Sequence, residues 1–288
     1  MQILFNINAL RNALERVRQQ GGQIAFVPTM GNLHAGHLSL IEQARSVAPL
    51  ARDCVVASIF VNRLQFGPNE DFTAYPRTFD ADCAQLEAAG VDLLFAPDEN
   101  ELYPEIQHYQ IALPEIAQQL DGAVRPGHFR GVATVVLKLF NIVQPQSAVF
   151  GKKDYQQLMI VRNMVRQLAL PIRILSGETI RAEDGLALSS RNRYLAPSER
   201  PEAARLYRVL STLCCALKAA KQDIAQLEQQ AFNELSEHGW RVDYISVRRQ
   251  DDLEIPGQTH EGSIPPALVA LGAARLGKTR LIDNLEIS

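Results

Sequence analysis

The chain has 288 residues, 47% of them hydrophobic, and its 29 basic and 32 acidic side chains leave a net charge of −3. That is apolar enough for a full core and long enough for two domains. The slightly acidic balance excludes a broad nucleic-acid-binding face, and no apolar run approaches the roughly 18 residues of a membrane span.

The opening stretch, MQILFNINALRNALERVRQQ, lacks the basic segment and apolar run of a secretory leader. From there the periodicity alternates. Ile24–Val27 predicts a buried strand, and Leu38–Val47 a helix. Cys54–Val61 is continuous and β-branched, as in a strand covered on both faces. Phe79, Cys83 and Leu86 have helical spacing within Thr78–Ala89, and Gly90 suits the C-cap. A strand over Val91–Ala96 follows. Val132, Val135, Val136, Leu139, Phe140 and Val143 form one apolar helix stripe. A strand at Ala148–Gly151, a helix at Tyr155–Leu168 and a strand at Ile172–Leu175 complete an alternating series. Alternation of this kind predicts a parallel α/β sheet with right-handed crossovers. Past about residue 180 the order changes. Helices over Glu199–Lys221 and Ile224–His238 precede strands at Val242–Val247, Ala267–Arg275 and Thr279–Ile287, which predicts a smaller α+β domain. Cys54, Cys83, Cys214 and Cys215 form no CxxC pair, so reduced thiols in a cytoplasmic protein are expected.

The stretch PTMGNLHAGHLSL, Pro28 to Leu40, stands at the turn between the first strong strand and its helix. Open α/β sheets bind ligands beyond the carboxyl ends of their strands. A helix starting near Gly36–His37 offers free N–H groups and a favourable dipole to phosphate. Gly31 and Gly36 let a ligand approach the backbone, and His34 and His37 can donate to oxygens that gain charge. The pattern predicts a nucleotide site. Against it stands the plain reading of two solvated loop histidines. A zinc site is the weaker chemical alternative, because His-x-x-His brings two ligands and no Cys or HExxH partner stands nearby.

HxGH resembles the signature of the nucleotidyltransferase and class I aminoacyl-tRNA synthetase superfamily. The longer PTMGNLHAGH resembles the pantothenate synthetase (pantoate–β-alanine ligase) family. So do SIFVNRLQFGPNEDFTAYPRT (Ser58–Thr78), RPGHFRGV (Arg125–Val132), FGKKDYQQL (Phe150–Leu158) and DGLALSSRNRYL (Asp184–Leu195), in the family's order. The resemblance spans the chain, more weakly over the last hundred residues or so. It implies a Rossmann-like sheet domain, 1–179, and a smaller α+β domain, 180–288, that closes over ATP. It implies ATP-dependent, AMP-forming ligation of pantoate and β-alanine through a pantoyl adenylate, in a homodimer, with Mg²⁺ travelling with the triphosphate. No metal held by protein ligands alone is expected.

By the same resemblance, His34, His37 and Lys153 are catalytic. Met30, Gly31, Asn32, Leu33, Ala35 and Gly36, with the two histidines, contact ATP. So do Gly151, Lys152, Lys153, Asp154, Ile180, Leu188, Ser189, Ser190 and Arg191, the last three resembling a KMSKS-type phosphate clamp. Gln65 and Gln157 hold pantoate, Gln65 also nears β-alanine, and Asn62 and Arg125 assist. Two positions depart from the pattern. The family usually has proline where Arg63 stands and an acidic residue where Lys152 stands. Lys153 is expected to be the lysine that faces inward. Tyr75 and Pro76 are read as loop packing near the pocket. His128 is expected to be structural. His108, His238 and His260 carry no motif.

GAARLGKT, Gly272 to Thr279, matches the phosphate-binding pattern GxxxxGK[ST]. Only nine residues follow it, so the flanking apolar runs are expected to pair as a hairpin instead. Three other functions remain to be told apart: a nucleotidyltransferase that ignores β-alanine, a tRNA synthetase lacking its basic appendage, and a silent nucleotide-binding scaffold.

Overall fold

A computed structural model describes residues 1–68, 70, 72–219, 223–257 and 267–287. Its first part alternates as the periodicity predicts. The elements are β1 (Gln2–Leu4), α1 (Ile7–Gln19), β2 (Ile24–Thr29), α2 (Ala35–Val47), β3 (Cys54–Ile59), α3 (Phe79–Ala88), β4 (Leu93–Phe95), α4 (Glu99–Leu102), α5 (Asp121–Val124), α6 (His128–Val143), β5 (Ser147–Gly151), α7 (Tyr155–Gln167) and β6 (Arg173–Gly177). The second part comprises α8 (Arg205–Lys218), α9 (Ile224–Glu237), β7 (Arg241–Arg249), β8 (Leu268–Leu276) and β9 (Thr279–Ile287).

The first six strands form one parallel sheet in the order β1-β4-β3-β2-β5-β6. Strand β2 explains why its sequence is a continuous apolar run. Ile24 and Phe26 pack with α1, α6 and α7, while Ala25 and Val27 pack with α2 and α3. With helices on both faces, every strand position is interior. Phe26 is fully buried, and its truncation to Ala would cost about 3–5 kcal/mol. Strand order reverses between β2 and β5, which opens a crevice at their carboxyl ends.

Strands β7, β8 and β9 form a separate antiparallel sheet. Ala270 and Ala274 of β8 face α8 and α9, while Val269 and Leu271 meet Tyr155 and Met159 of α7. This face joins the small sheet to the large one. The β8–β9 hairpin also accounts for GAARLGKT. Gly277 and Lys278 are the turn of antiparallel strands, not a loop that opens a helix.

Several bounds differ from the sequence reading. Elements β1 and α1 lie in the opening stretch, for which the sequence predicts no element. Helix α6 begins at His128 rather than Val132, because Gly127 takes a left-handed φ of 83° and starts the helix there. The helix expected from Glu199 begins with a 3-10 turn, Glu202–Ala204, and continues as α8. Its expected end at Lys221 lies outside the described residues, as does His260. The four cysteines are free thiols. Among the described residues, no helix is long and apolar enough to cross a membrane.

Candidate active site

The crevice beyond β2 and β5 is a cavity lined from four directions. The turn after β2 brings Met30, His34, Gly36 and His37. The segment after β3 brings Asn62, Gln65 and Tyr75, and α6 closes the floor with Val132, Val135, Val136 and Leu139. The end of β5 and the start of α7 bring Gly151, Lys153, Asp154 and Gln157. The segment after β6 covers it with Ile180, Leu188, Ser189, Ser190 and Arg191. Arg125 and His128 lie at one side. Of the other residues named from sequence, Gly31, Asn32, Leu33 and Ala35 belong to the β2–α2 turn without lining the cavity.

That turn is built around its histidines. His34 is the N-cap of α2. Its Nδ1 accepts from Gly36 N–H at 3.1 Å, and the N–H of His34 donates to His37 Nδ1 at 3.3 Å. The two rings stand 4.1 Å apart, centre to centre. A Cβ on Gly36 would lie 2.9 Å from His34 Cε1, so this position admits glycine because the ring is so close. Burial pushes the His34 pKa down to about 3, helped by His37 and Lys153. Burial likewise lowers His37 to about 4, with Lys153 adding to the effect and Asp154 opposing it. Both rings are therefore neutral at pH 7. Since each Nδ1 accepts a backbone hydrogen bond, each proton resides on Nε2. The turn thus carries two uncharged Nε2–H donors, a form suited to an oxygen that acquires charge during reaction.

Asp82 fixes the preceding loop. It is 1% exposed, and its carboxylate accepts from Asn32 N–H and Leu33 N–H, both at 2.8 Å, and from Thr78 Oγ1 at 3.1 Å. Gly31 turns here with φ 78°, and a Cβ there would approach Asp82 Oδ2 at 3.0 Å. Sequence reading missed Asp82, although a signal existed. It falls on the same helical stripe as Phe79, Cys83 and Leu86, where a carboxylate needs a partner.

The two lysines diverge. Lys153 lines the cavity, and its nearest carboxylate among the described residues is Asp154 at 4.0 Å. Lys152 does not line it. Its ammonium lies between Glu178 at 2.6 Å and Glu286 at 2.7 Å, and these carboxylates outweigh burial and raise its pKa. The positive charge that departs from the family pattern is thus neutralised locally. Burial tends to raise the Asp154 carboxyl, but Lys153, Arg191, His128 and His37 outweigh it and hold it low.

Neutral amides line the opposite wall. Asn62 is 1% exposed, donates to Gln65 Oε1 at 3.1 Å and to Gly131 O at 3.2 Å, and accepts from the Tyr103 hydroxyl at 3.0 Å. Gln65 Nε2 reaches Met30 Sδ at 3.1 Å. Arg125 makes a two-pronged pair with Glu70, at 2.6 and 2.7 Å, and its NH1 donates to His128 Nε2 at 2.9 Å. His128 Nδ1 in turn donates to Gln65 O at 2.8 Å. Burial and Arg125 lower the His128 pKa to about 4, so it serves as a neutral link from Arg125 to Gln65. The charge of Arg125 is already answered by Glu70. Arg63 points away from the cavity, where it pairs with Glu99 at 2.8 Å and stacks 4.2 Å over Phe72.

The covering segment is tied down on both sides. Arg193 reaches Asn32 Oδ1 at 3.2 Å, and Tyr194 reaches Ala74 O at 3.3 Å. Arg181 binds Asp283 of β9 at 2.6 and 2.8 Å. Tyr75, read as loop packing, lies 3.5 Å from Ser190 Oγ.

Comparison with known proteins agrees with this architecture. A pantothenate synthetase of Nitrosospira multiformis is 57% identical over 288 residues, covering 100% of this chain and 99% of the relative. The crystal structure of pantothenate synthetase from Thermus thermophilus superposes with a TM-score of 0.89 at 44% identity, covering 100% of this chain and 99% of that one. A pantoate-beta-alanine ligase structure from Francisella tularensis, complexed with beta-gamma ATP and beta-alanine, gives a TM-score of 0.81 at 35% identity, over 99% and 97% of the two chains. The family model described as pantoate-beta-alanine ligase matches residues 2–286, and the chain belongs to that family.

Proposed function

We propose that this chain condenses pantoate with β-alanine at the cost of ATP, and that the cavity between β2 and β5 carries both steps. One observation supports the placement above others. Two neutral imidazole donors, Lys153 and the Ser189–Arg191 turn converge on one cavity whose other wall is lined by neutral amides and apolar side chains.

In the first step a carboxylate oxygen of pantoate attacks the α-phosphorus of ATP, and the bond to the β-phosphate breaks with its electron pair leaving on pyrophosphate. His34 and His37 donate from Nε2 to oxygens around the α-phosphorus, and Lys153 neutralises the charge that builds there. Ser189, Ser190 and Arg191 hold the outer phosphates, while Gly36, Gly151, Ile180 and Leu188 border the nucleoside. Gln65, Gln157 and Asn62 orient pantoate without adding a charge that would bind its carboxylate too firmly to react. In the second step the amine nitrogen of β-alanine attacks the acyl carbon, AMP departs, and the amine loses a proton. The Val132–Leu139 floor keeps water from the acyl adenylate.

Mg²⁺ enters with ATP as part of the substrate. Among the described residues no cluster of three His, Cys, Asp or Glu side chains is set to hold an ion. Asp154, on the phosphate side, would be the carboxylate to hold a phosphate-borne cation. Residues 1–179 act as the substrate-binding unit and 180–288 as the cover. The protein works in the cytoplasm as a homodimer, and the exposed Ile106 and Tyr109 offer apolar surface for the second copy.

The test is sequential addition with mass spectrometry. The protein, ATP, Mg²⁺ and pantoate are mixed, then β-alanine is added. Pantothenate and AMP should rise one for one. Pyrophosphate release with no β-alanine-dependent product would refute the acceptor and point to another nucleotidyltransferase reaction.

A further inference from the structure

The phosphate side of the cavity is continuous with a second one. A space of about 750 Å³ shares Lys153, Asp154, Gln157, Ser189 and Arg191 with the first. Its far wall is the β8–β9 hairpin, with Arg275, Lys278, Thr279 and Arg280. This is the turn whose sequence imitates a phosphate-binding loop, and nothing in the reaction so far uses it.

The wall is basic. Among the described residues it carries six cations, Arg125, Lys153, Arg191, Arg275, Lys278 and Arg280, and three carboxylates, Glu70, Asp121 and Asp154. Two of those carboxylates are already paired, Glu70 with Arg125 and Asp121 with Arg280, each at 2.6 Å. Arg280 also binds Asp243, so its charge is fully answered. Arg275 and Lys278 have no ion-pair partner among the described residues. Beside them Thr279 is 3% exposed, and its hydroxyl has no hydrogen-bond partner among those residues. Unanswered cations on a cavity wall call for an anionic, oxygen-rich ligand.

We propose that this second cavity is a subsite for pyrophosphate, bound by Arg275 and Lys278 after it leaves the α-phosphorus. The proposal rests on the ligase reading above. Lys153 and Arg191 stand at the junction, so the leaving diphosphate exchanges one set of cations for another as it moves away. Removal by one cavity keeps it from attacking the acyl adenylate in reverse, while the amine approaches the acyl carbon. A zwitterion such as β-alanine gains little from such a wall.

Pyrophosphate is titrated calorimetrically into the wild-type protein, Lys278→Gln, Lys278→Arg and the Arg275→Gln/Lys278→Gln pair. Its inhibition of pantothenate formation is measured in parallel. The double variant should bind and be inhibited about tenfold more weakly, the loss expected for two charge-assisted contacts. Lys278→Arg should stay near wild type, and KM for pantoate and β-alanine should stay within about twofold. Unchanged pyrophosphate affinity in the double variant overturns the subsite, as does a shift in the β-alanine or pantoate KM as large as that for pyrophosphate. If the double variant fails to fold, Lys278→Gln on the exposed turn decides by the same criteria. If the wild-type protein makes no pantothenate, the ligase reading falls by itself, and the direct titration still judges the subsite.

Discussion

At the turn after β5, Lys152 and Lys153 are adjacent in sequence and opposite in surroundings. One is held by Glu178 and Glu286, while the other faces the cavity. Lys153→Ala and His37→Ala should each lower turnover about a hundredfold, the scale of one lost preorganised donor. Steady-state rates near wild type in both would contradict the assigned roles. Lys152→Ala should cost turnover far less, since its charge is satisfied elsewhere. The imidazoles yield a second expectation. With pKa values near 3 and 4, His34 and His37 should appear neutral and Nε2-protonated in nitrogen NMR of the unliganded protein from pH 8 to 5. A titration of either near pH 6.5 would contradict the hydrogen-bonded turn. The residue types at the site were legible because HxGH, KKD and SSR lie on short contiguous motifs. Glu70, Glu178 and Glu286 were not, because each meets its cation across a long stretch of chain.

Among elements, the β2–α2 turn depends on a helix far along the sequence. Asp82 of α3 holds two of its backbone N–H groups. Asp82→Asn keeps the volume but replaces one acceptor with a donor aimed at a donor, a cost of about 1–3 kcal/mol for a buried group left unpaired. Binding of ATP should weaken about tenfold while the overall fold persists by circular dichroism. ATP affinity equal to wild type would remove Asp82 from the site. The long elements were legible because their apolar periods are regular. Helix α1 is not assigned from sequence although Leu10, Ala13 and Leu14 are its buried stripe. Helix α6 was cut short because its first turn, His128 to Gly131, carries polar and glycine positions. His128 and Gly131 are buried against the Leu64–Gln65 backbone, which a Cβ on Gly131 would strike at 2.2 Å. Such a tertiary contact has no local signature.

At the scale of the whole molecule, the small sheet is fastened to the first domain by a part-buried charge group as well as by apolar contact. Arg280 of β9 binds Asp121 of α5 and Asp243 of β7. Arg280→Met would leave two part-buried carboxylates without their cation and should cost about 1–3 kcal/mol in urea unfolding. A loss below about 1 kcal/mol would show that apolar packing alone secures the hairpin. Stability should also depend on pH in a defined window. The folded pKa values of His34, His37 and His128 lie below the ordinary 6.5, at about 3, 4 and 4. Between roughly pH 6.5 and 4 the unfolded chain therefore binds more protons, and stability falls as pH falls through that range. Urea midpoints should decline from pH 7 to 4.5, and His128→Gln should flatten the slope. A pH-independent midpoint there would contradict the depressed values.

The hydrogen bonds at the start of α2 have a consequence for contamination by transition metals. An imidazole binds nickel, copper or zinc through a nitrogen lone pair. In this turn each ring's only lone pair, at Nδ1, already receives a main-chain proton. Coordination through Nε2 would require the proton to migrate to Nδ1, where it would meet the very N–H that caps the helix. A paired histidine motif that looks like half of a chelate is thereby a poor one, and trace divalent metals should leave this enzyme's first helical turn, and its turnover, undisturbed.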